Sequence, residues 1–248
     1  MKERLTNQLF VDKNKYKDEY RFDICQTIEE LNKLPFDFYV SGGVICQFFF
    51  KSHRRYVNDI DIVTICDLKE IESIFRRYLN VVEFVISPVS ISSPYFLETF
   101  IALININGKI TQIDGMKVDY FDEIEPEIYK VNDLSFKGVP IEYLAATKIL
   151  AVTSEVERPF KHLVDTYTIS SIDASLINKQ KIKKYLNIIN DNENKVRKML
   201  KIPTHCLSYS IKENKTFSGP EILTTLQAGY NVSKETMIQE VNKWLSTF

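Results

Sequence analysis

The chain has 248 residues, enough for one large domain or two of ordinary size. Its 44% apolar and 26% charged residues match an ordinary soluble globular protein, so a core needs neither disulfides nor a structural metal. No apolar run reaches the roughly 20 residues of a membrane span, and Met1-Lys2-Glu3-Arg4 opens no signal-type segment. The expectation is therefore a cytoplasmic protein without a membrane partner. Cys25, Cys46, Cys66 and Cys206 have no paired spacing and sit in apolar stretches, as expected of buried thiols. Charge is uneven along the chain. Residues 1–140 hold 17 Lys/Arg against 22 Asp/Glu, a net of −5, whereas residues 179–215 hold 10 against 3, a net of +7. The basic segment fits a polyanion contact, and it equally fits a solvated helix face.

In chain order, a polar start gives way to helical spacing of Phe22, Cys25, Ile28 and Leu31 over residues 18–34, ending before Pro35. A short strand, Phe38-Tyr39-Val40, runs into Ser41-Gly42-Gly43, and an aromatic-rich helix is predicted over 44–52. A strand over 60–65, an amphipathic helix over 68–79 and a β-branched strand over 81–86 follow. Residues 100–106 and 109–114 flank Asn107-Gly108, a pair suited to a type I′ hairpin turn. One further extended piece is expected over 128–138. Beyond Pro140 every predicted element is a helix, over 141–152, 159–170, 179–200, 219–228 and 233–245. The expected class is α+β: a domain at 1–139 built on a mixed sheet flanked by helices, and a helical bundle at 140–248.

The chemistry begins at Asn58-Asp59-Ile60-Asp61-Ile62. Residues two apart on a strand share a face, so Asp59 and Asp61 should lie side by side, with Ile60 and Ile62 anchoring the other face. Such like charges repel unless a cation lies between them. Mg²⁺ suits the site because it binds through one or two carboxylates plus substrate phosphates; Mn²⁺ is the alternative. A solvent-facing strand carrying two ordinary acids would read the same. Upstream, the small residues Ser41, Gly42 and Gly43 let a phosphate approach backbone N–H groups where a helix begins. The turn precedes Asp59 by 16 residues, and Arg54 and Arg55 stand just before the acidic strand. Together these parts are what phosphoryl-group transfer needs.

This constellation resembles the nucleotidyltransferase superfamily related to DNA polymerase β, whose pattern is a Gly-rich turn followed by Asp-x-Asp. The superfamily adds a third carboxylate on a later strand. Asp114 is the best match, since Ile110, Gln112 and Asp114 share a strand face; Asp119 and Asp122 are runners-up. Further along, Lys148-Ile149-Leu150-Ala151 resembles the Lys-x-x-Ala element of the AbiEii-type nucleotidyltransferases, toxin components of type IV toxin–antitoxin and abortive-infection systems. Arg158-Pro159-Phe160-Lys161-His162-Leu163-Val164-Asp165 resembles that family's Arg-x-x-Lys-Asp-x-x-Asp element, and Arg55-Tyr56-Val57-Asn58-Asp59 its Arg-aromatic-Ser-x-Asp run. His162 stands where the family has an acid, and Val57 where a small hydroxyl is common.

The resemblance implies that Asp59, Asp61 and Asp114 hold Mg²⁺ and that Asp114 helps deprotonate the acceptor. Ser41, Gly42 and Gly43 would cradle phosphates, and Lys148 would neutralise phosphate charge. Arg55 and Lys161 would assist, and His162 would replace the missing acid. Asp165 would act in nucleotide binding or simply pair with Lys161, four residues away on a helix. The implied reaction moves a nucleoside monophosphate from an NTP to an acceptor, with RNA (the tRNA 3′ end) expected to contact the basic 179–215 segment and a cognate antitoxin as a possible partner. Antibiotic nucleotidyltransferases, acting on aminoglycosides or lincosamides, share the turn and the carboxylates. An inactive nucleotide-binding module is the third reading, kept open by His162.

Overall fold

The computed structural model describes residues 1–6, 23–49, 57, 59–88, 98–153, 159–190 and 234–248. The predicted helix over 219–228, Cys206, Arg54, Arg55, Arg158 and most of the basic 179–215 segment lie outside the described residues. The described residues divide into two compact units between Pro140 and Ile141.

The first unit is an eight-stranded mixed sheet. Its strands are β1 (Glu3–Thr6), β2 (Phe38–Val40), β3 (Ile60–Thr64), β4 (Val81–Pro88), β5 (Glu98–Ile106), β6 (Lys109–Lys117), β7 (Glu127–Val131) and β8 (Leu134–Gly138). They lie in the order β1-β7-β8-β2-β3-β6-β5-β4. The β1/β7, β2/β8 and β3/β6 pairs are parallel and the others antiparallel. The β5–β6 hairpin turns through Asn107 (φ 51°) and Gly108 (φ 83°), both left-handed as a type I′ turn requires.

Two sequence expectations need correction here. The single extended piece over 128–138 is two strands, folded back at Asn132, whose φ of 51° supplies the tight turn without a glycine. The polar N-terminus contributes β1, an edge strand whose Arg4 side chain is held inside by Glu127 (Nε–Oε2 2.8 Å) and lies over the Phe49 ring.

Helices α1 (Ile24–Leu31), α2 (Gly42–Cys46) and α3 (Leu68–Tyr78) complete this unit. Asp23 starts α1 by accepting from the Gln26 N–H, and Asp67 starts α3 by accepting from Lys69 and Glu70. These caps place the first turns later than, or level with, the apolar periodicity. The helices gather on one side of the sheet. Thr27 of α1 meets Thr111 of β6 through their hydroxyls, and Phe75 of α3 packs on Phe84 and Phe100. Ile45 of α2 sits where a side chain on Gly138 would be. The expected flanking by helices is thus one-sided among the described residues. Along β5 and β6 the alternation is plain: Phe100, Ala102, Ile104, Thr111, Ile113 and Gly115 are buried against the helices, while the intervening residues face the other way and are only half-buried or exposed.

In the second unit every described regular element is a helix: α4 (Ile141–Thr153), α5 (Pro159–Ser170), α6 (Lys179–Asn190) and α7 (Lys234–Leu245). Proline opens α5, where its missing N–H costs nothing. Asn178 caps α6 through Gln180 and Lys181, and its own N–H is taken by Glu142 of α4. α4 packs on α5 and α6, with Tyr143 edge-on to Tyr185, and α7 packs on α5. No described helix is long and apolar enough to cross a membrane.

Candidate active site

β3 and β6 are neighbours although their first positions are 49 residues apart in sequence, and their parallel register sets Asp61 directly opposite Asp114. Facing residues on adjacent strands project to the same side. The two carboxylates therefore share the sheet face away from the helices, while Ile60, Ile62 and Ile113 are fully buried on the other. Gln112, on the same face as Asp114, donates from Nε2 to Asp114 Oδ1 at 2.8 Å and orients that carboxylate. The Gln112 role was recognisable in sequence only as a shared face; the bond depends on both rotamers.

The Ser41-Gly42-Gly43 turn meets the same pair. The Ser41 N–H donates to the Asp61 carbonyl at 2.8 Å, tying the turn to β3. Gly42 has φ +62°, and a Cβ there would fall on the Asp61 carboxyl group. A glycine is therefore required twice, for its backbone and for the room it leaves the carboxylate. Gly43 and Ser41 are buried beside it. Ser41 occupies the capping position of α2 but its hydroxyl makes no capping bond. The helix expected over 44–52 starts at Gly42 and continues in turns after Cys46. Five residues carry little aligned dipole, so phosphate binding there would rest on local N–H groups and the Ser41 hydroxyl.

Asp59 stands just before β3. It lies at a bend ahead of Ile60, outside β3, so the two-residue alternation is not imposed on it. Among the described residues no three His, Cys, Asp or Glu side chains converge as a metal-binding group. What is assembled is a pair. Two hard carboxylates, with further oxygens to come from substrate, fit Mg²⁺ in the way it commonly binds. Asp119 and Asp122 lie beyond the end of β6, exposed, and do not join the pair. Nearby on β2, Tyr39 stacks on Phe121 with ring centres 4.2 Å apart. Burial, followed by the Asp37 and Asp122 charges, raises its phenol pKa.

In the second unit, Lys148 Nζ lies 3.0 Å from Asp165 Oδ2, with side chains only 13% and 6% exposed. Asp165 thus pairs across helices with the lysine of the Lys-x-x-Ala element. Lys161 and His162 fall in the first turns of α5, and their side chains lie outside what is described. Cysteine burial also needs correction: Cys46 is buried, but Cys25 and Cys66 are partly exposed. Burial first, then the Asp23 and Glu29 charges, pushes the Cys25 thiol pKa upward.

No protein-family model matches the chain, and no curated protein does. Among solved structures, it is similar to an antigenic nucleotidyltransferase-like protein from Paracoccidioides brasiliensis, at 13% identity and a TM-score of 0.38 over 71% of this chain and 88% of that one. It is also similar to JHP933 from Helicobacter pylori, at 13% identity and a TM-score of 0.44 over 89% of each chain.

Proposed function

We propose that this protein is a Mg²⁺-dependent nucleotidyltransferase of the DNA polymerase β-like superfamily. The observation that carries the reading is Asp61 and Asp114 facing one another on parallel strands, with the left-handed Gly42 backbone closing on Asp61. Asp61 and Asp114 are the residues that would hold the ion, with Asp59 close in sequence as a further oxygen donor. When bound, Mg²⁺ supplies the positive charge that offsets both carboxylates and the triphosphate. Ser41, Gly42 and Gly43 offer N–H and hydroxyl donors to phosphate oxygens. In the transfer, the acceptor oxygen bonds to the α-phosphorus, the bond from that phosphorus to the β-bridging oxygen breaks, and pyrophosphate leaves. The acceptor proton passes to a carboxylate, for which Asp114, held by Gln112, is assigned.

The finer assignment rests on the motif resemblance: an AbiEii-type enzyme with an RNA acceptor, the tRNA 3′ end, and an antitoxin partner. In it Lys148, Lys161 and Arg55 serve phosphate charge and His162 replaces the usual acid as a proton acceptor. The test is incubation with Mg²⁺, each labelled NTP and total tRNA, with aminoglycoside and lincosamide acceptors in parallel. Label on RNA is expected, lost in Asp61→Asn and Asp114→Asn. Label on a drug alone would move the protein to the antibiotic class. NTP binding without transfer to any acceptor would leave a binding module.

A further inference from the structure

Strands β2, β3 and β6 are successive neighbours, so the Ser41-Gly42-Gly43 turn, Asp61 and Asp114 follow one another across the sheet. At about 4.8 Å per strand, the turn and Asp114 stand about 10 Å apart with Asp61 between them. In phosphoryl-group transfer the attacking and leaving oxygens lie roughly in line through the phosphorus. With the pyrophosphate end held at the turn, the acceptor must enter over β6, on the side of Asp114 and Gln112. Gln112 is half-buried there, and its Nε2 donates to Asp114 Oδ1. Charge fixes this orientation of the amide, because its oxygen turned toward the carboxylate would be repelled. The carbonyl end, Oε1, is left as an acceptor, and it takes no hydrogen bond among the described residues. Its neighbours cannot supply one: Leu103, which faces Gln112 on β5, has no polar side-chain group, and an ionised Asp114 only accepts. The donor for this oxygen must therefore come from what enters the site.

We infer that Gln112 is a specificity-determining residue that reads the acceptor as a vicinal diol, the terminal ribose of an RNA chain. The inference rests on the nucleotidyltransferase reading and names the acceptor group that its site selects. One ribose hydroxyl attacks the α-phosphorus and passes its proton to Asp114 as pyrophosphate leaves. The neighbouring hydroxyl keeps its proton and donates to Gln112 Oε1. Because Nε2 is tied to Asp114, one amide sets both contacts, fixing the carboxylate that takes the first proton and the oxygen that meets the second hydroxyl. The ribose of the donor nucleotide hangs from the α-phosphorus off the line of attack, so it is not the diol aligned with Asp114.

The experiment measures kcat/KM for transfer from labelled NTP, in Mg²⁺, to a tRNA transcript ending in ribose, 2′-deoxyribose or 3′-deoxyribose. The native protein is compared with Gln112→Met, which keeps the length of the side chain and removes both polar ends of the amide. Circular dichroism checks the fold, and the KM for the NTP checks the donor site. The deoxy end that still reacts retains the attacking hydroxyl, and its rate against intact ribose reports the neighbouring one. The native protein is expected to favour intact ribose by roughly two- to tenfold, the size of one hydrogen bond, and this ratio needs no variant. In Gln112→Met both ends should react more slowly as Asp114 loses its tether, the ratio should fall to about one, and the KM for the NTP should hold. A purely structural role would slow both ends and leave the ratio unchanged. No preference in the native protein, or a ratio that survives in Gln112→Met, overturns the inference. So does a Gln112-dependent preference for NTP over 2′-dNTP, which would give the contact to the donor. Transfer to none of the ends overturns the reading of an RNA nucleotidyltransferase together with the inference, whereas transfer without preference overturns the inference alone.

Discussion

Replacing Gly42 with alanine should damage the protein in two separable ways. The backbone at Gly42 has φ +62°, where an L-residue with a Cβ is disfavoured by about 1–2 kcal/mol. The new Cβ would also fall on Asp61 Oδ2 and Cγ and lie 2.9 Å from Asp61 Cβ, so the carboxylate must leave its position. Driving that side chain off its rotamer costs roughly a further 0.5–1.5 kcal/mol. The expected total, about 1.5–3.5 kcal/mol, corresponds to a fall in Tm of about 3–14 °C for a protein of this size. Thermal and urea unfolding of Gly42→Ala, Asp61→Ala and the double variant form the cycle that separates the two parts. In the Asp61→Ala background only the backbone part should survive, so Gly42→Ala should cost about 0.5–1.5 kcal/mol less there. An equal cost in both backgrounds would refute the overlap, and no cost in either would refute the left-handed turn. Transfer activity should fall with the displaced carboxylate and stay lost in the double variant, whose stability partly recovers.

Three further outcomes are expected. Removing one partner of the Lys148–Asp165 pair strands a buried charge, so Asp165→Ala should destabilise by about 3–5 kcal/mol in urea unfolding, whereas Lys148→Met/Asp165→Leu should come close to neutral. If Lys148 serves phosphate charge, that stable double variant remains inactive; full activity would remove Lys148 from the site. Tyr39 has a raised pKa, so its favourable contribution is complete below its ordinary value of 10.0 and is lost as pH rises through the folded value. Stability should decline above about pH 10 less steeply in Tyr39→Phe than in the native protein, by pH-jump unfolding, and parallel slopes would contradict the assignment. Cys25, its thiol pushed upward by burial and acidic neighbours, should react with a thiol reagent at pH 8 more slowly than a free cysteine peptide. Alkylation followed by peptide mass mapping measures this, and equal or faster reaction would contradict it.

The local parts of this site were readable because they depend on short-range chemistry. Asn107-Gly108 announces a two-residue hairpin, and counting outward from it sets Asn105 against Ile110 and Ile101 against Asp114. The partner of an acid chosen from strand alternation was thus available before any coordinates. The glycine turn was equally visible, though its reason was not. Sequence suggested room for a phosphate, whereas the structure shows that Gly42 makes room first for the Asp61 carboxyl group.

What sequence could not supply is the long-range pairing. β3 and β6 are parallel neighbours with two strands and a helix between them in sequence, and no local signal sets Asp61 against Asp114 rather than one residue to either side. A slip of one residue would turn Asp114 onto the helix-covered face and dissolve the pair. The register is held by the apolar residues behind the site, where Ile60, Ile62 and Ile113 are fully buried. Asp59 shows the reverse case. Alternation reaches only as far as the strand does, and the chain bends at Asp59 before β3 begins. The acid whose position seemed simplest to infer is therefore the one the fold leaves outside the strand. Asp114, inferred from a weaker pattern and 53 residues after Asp61, is fixed by core packing opposite it.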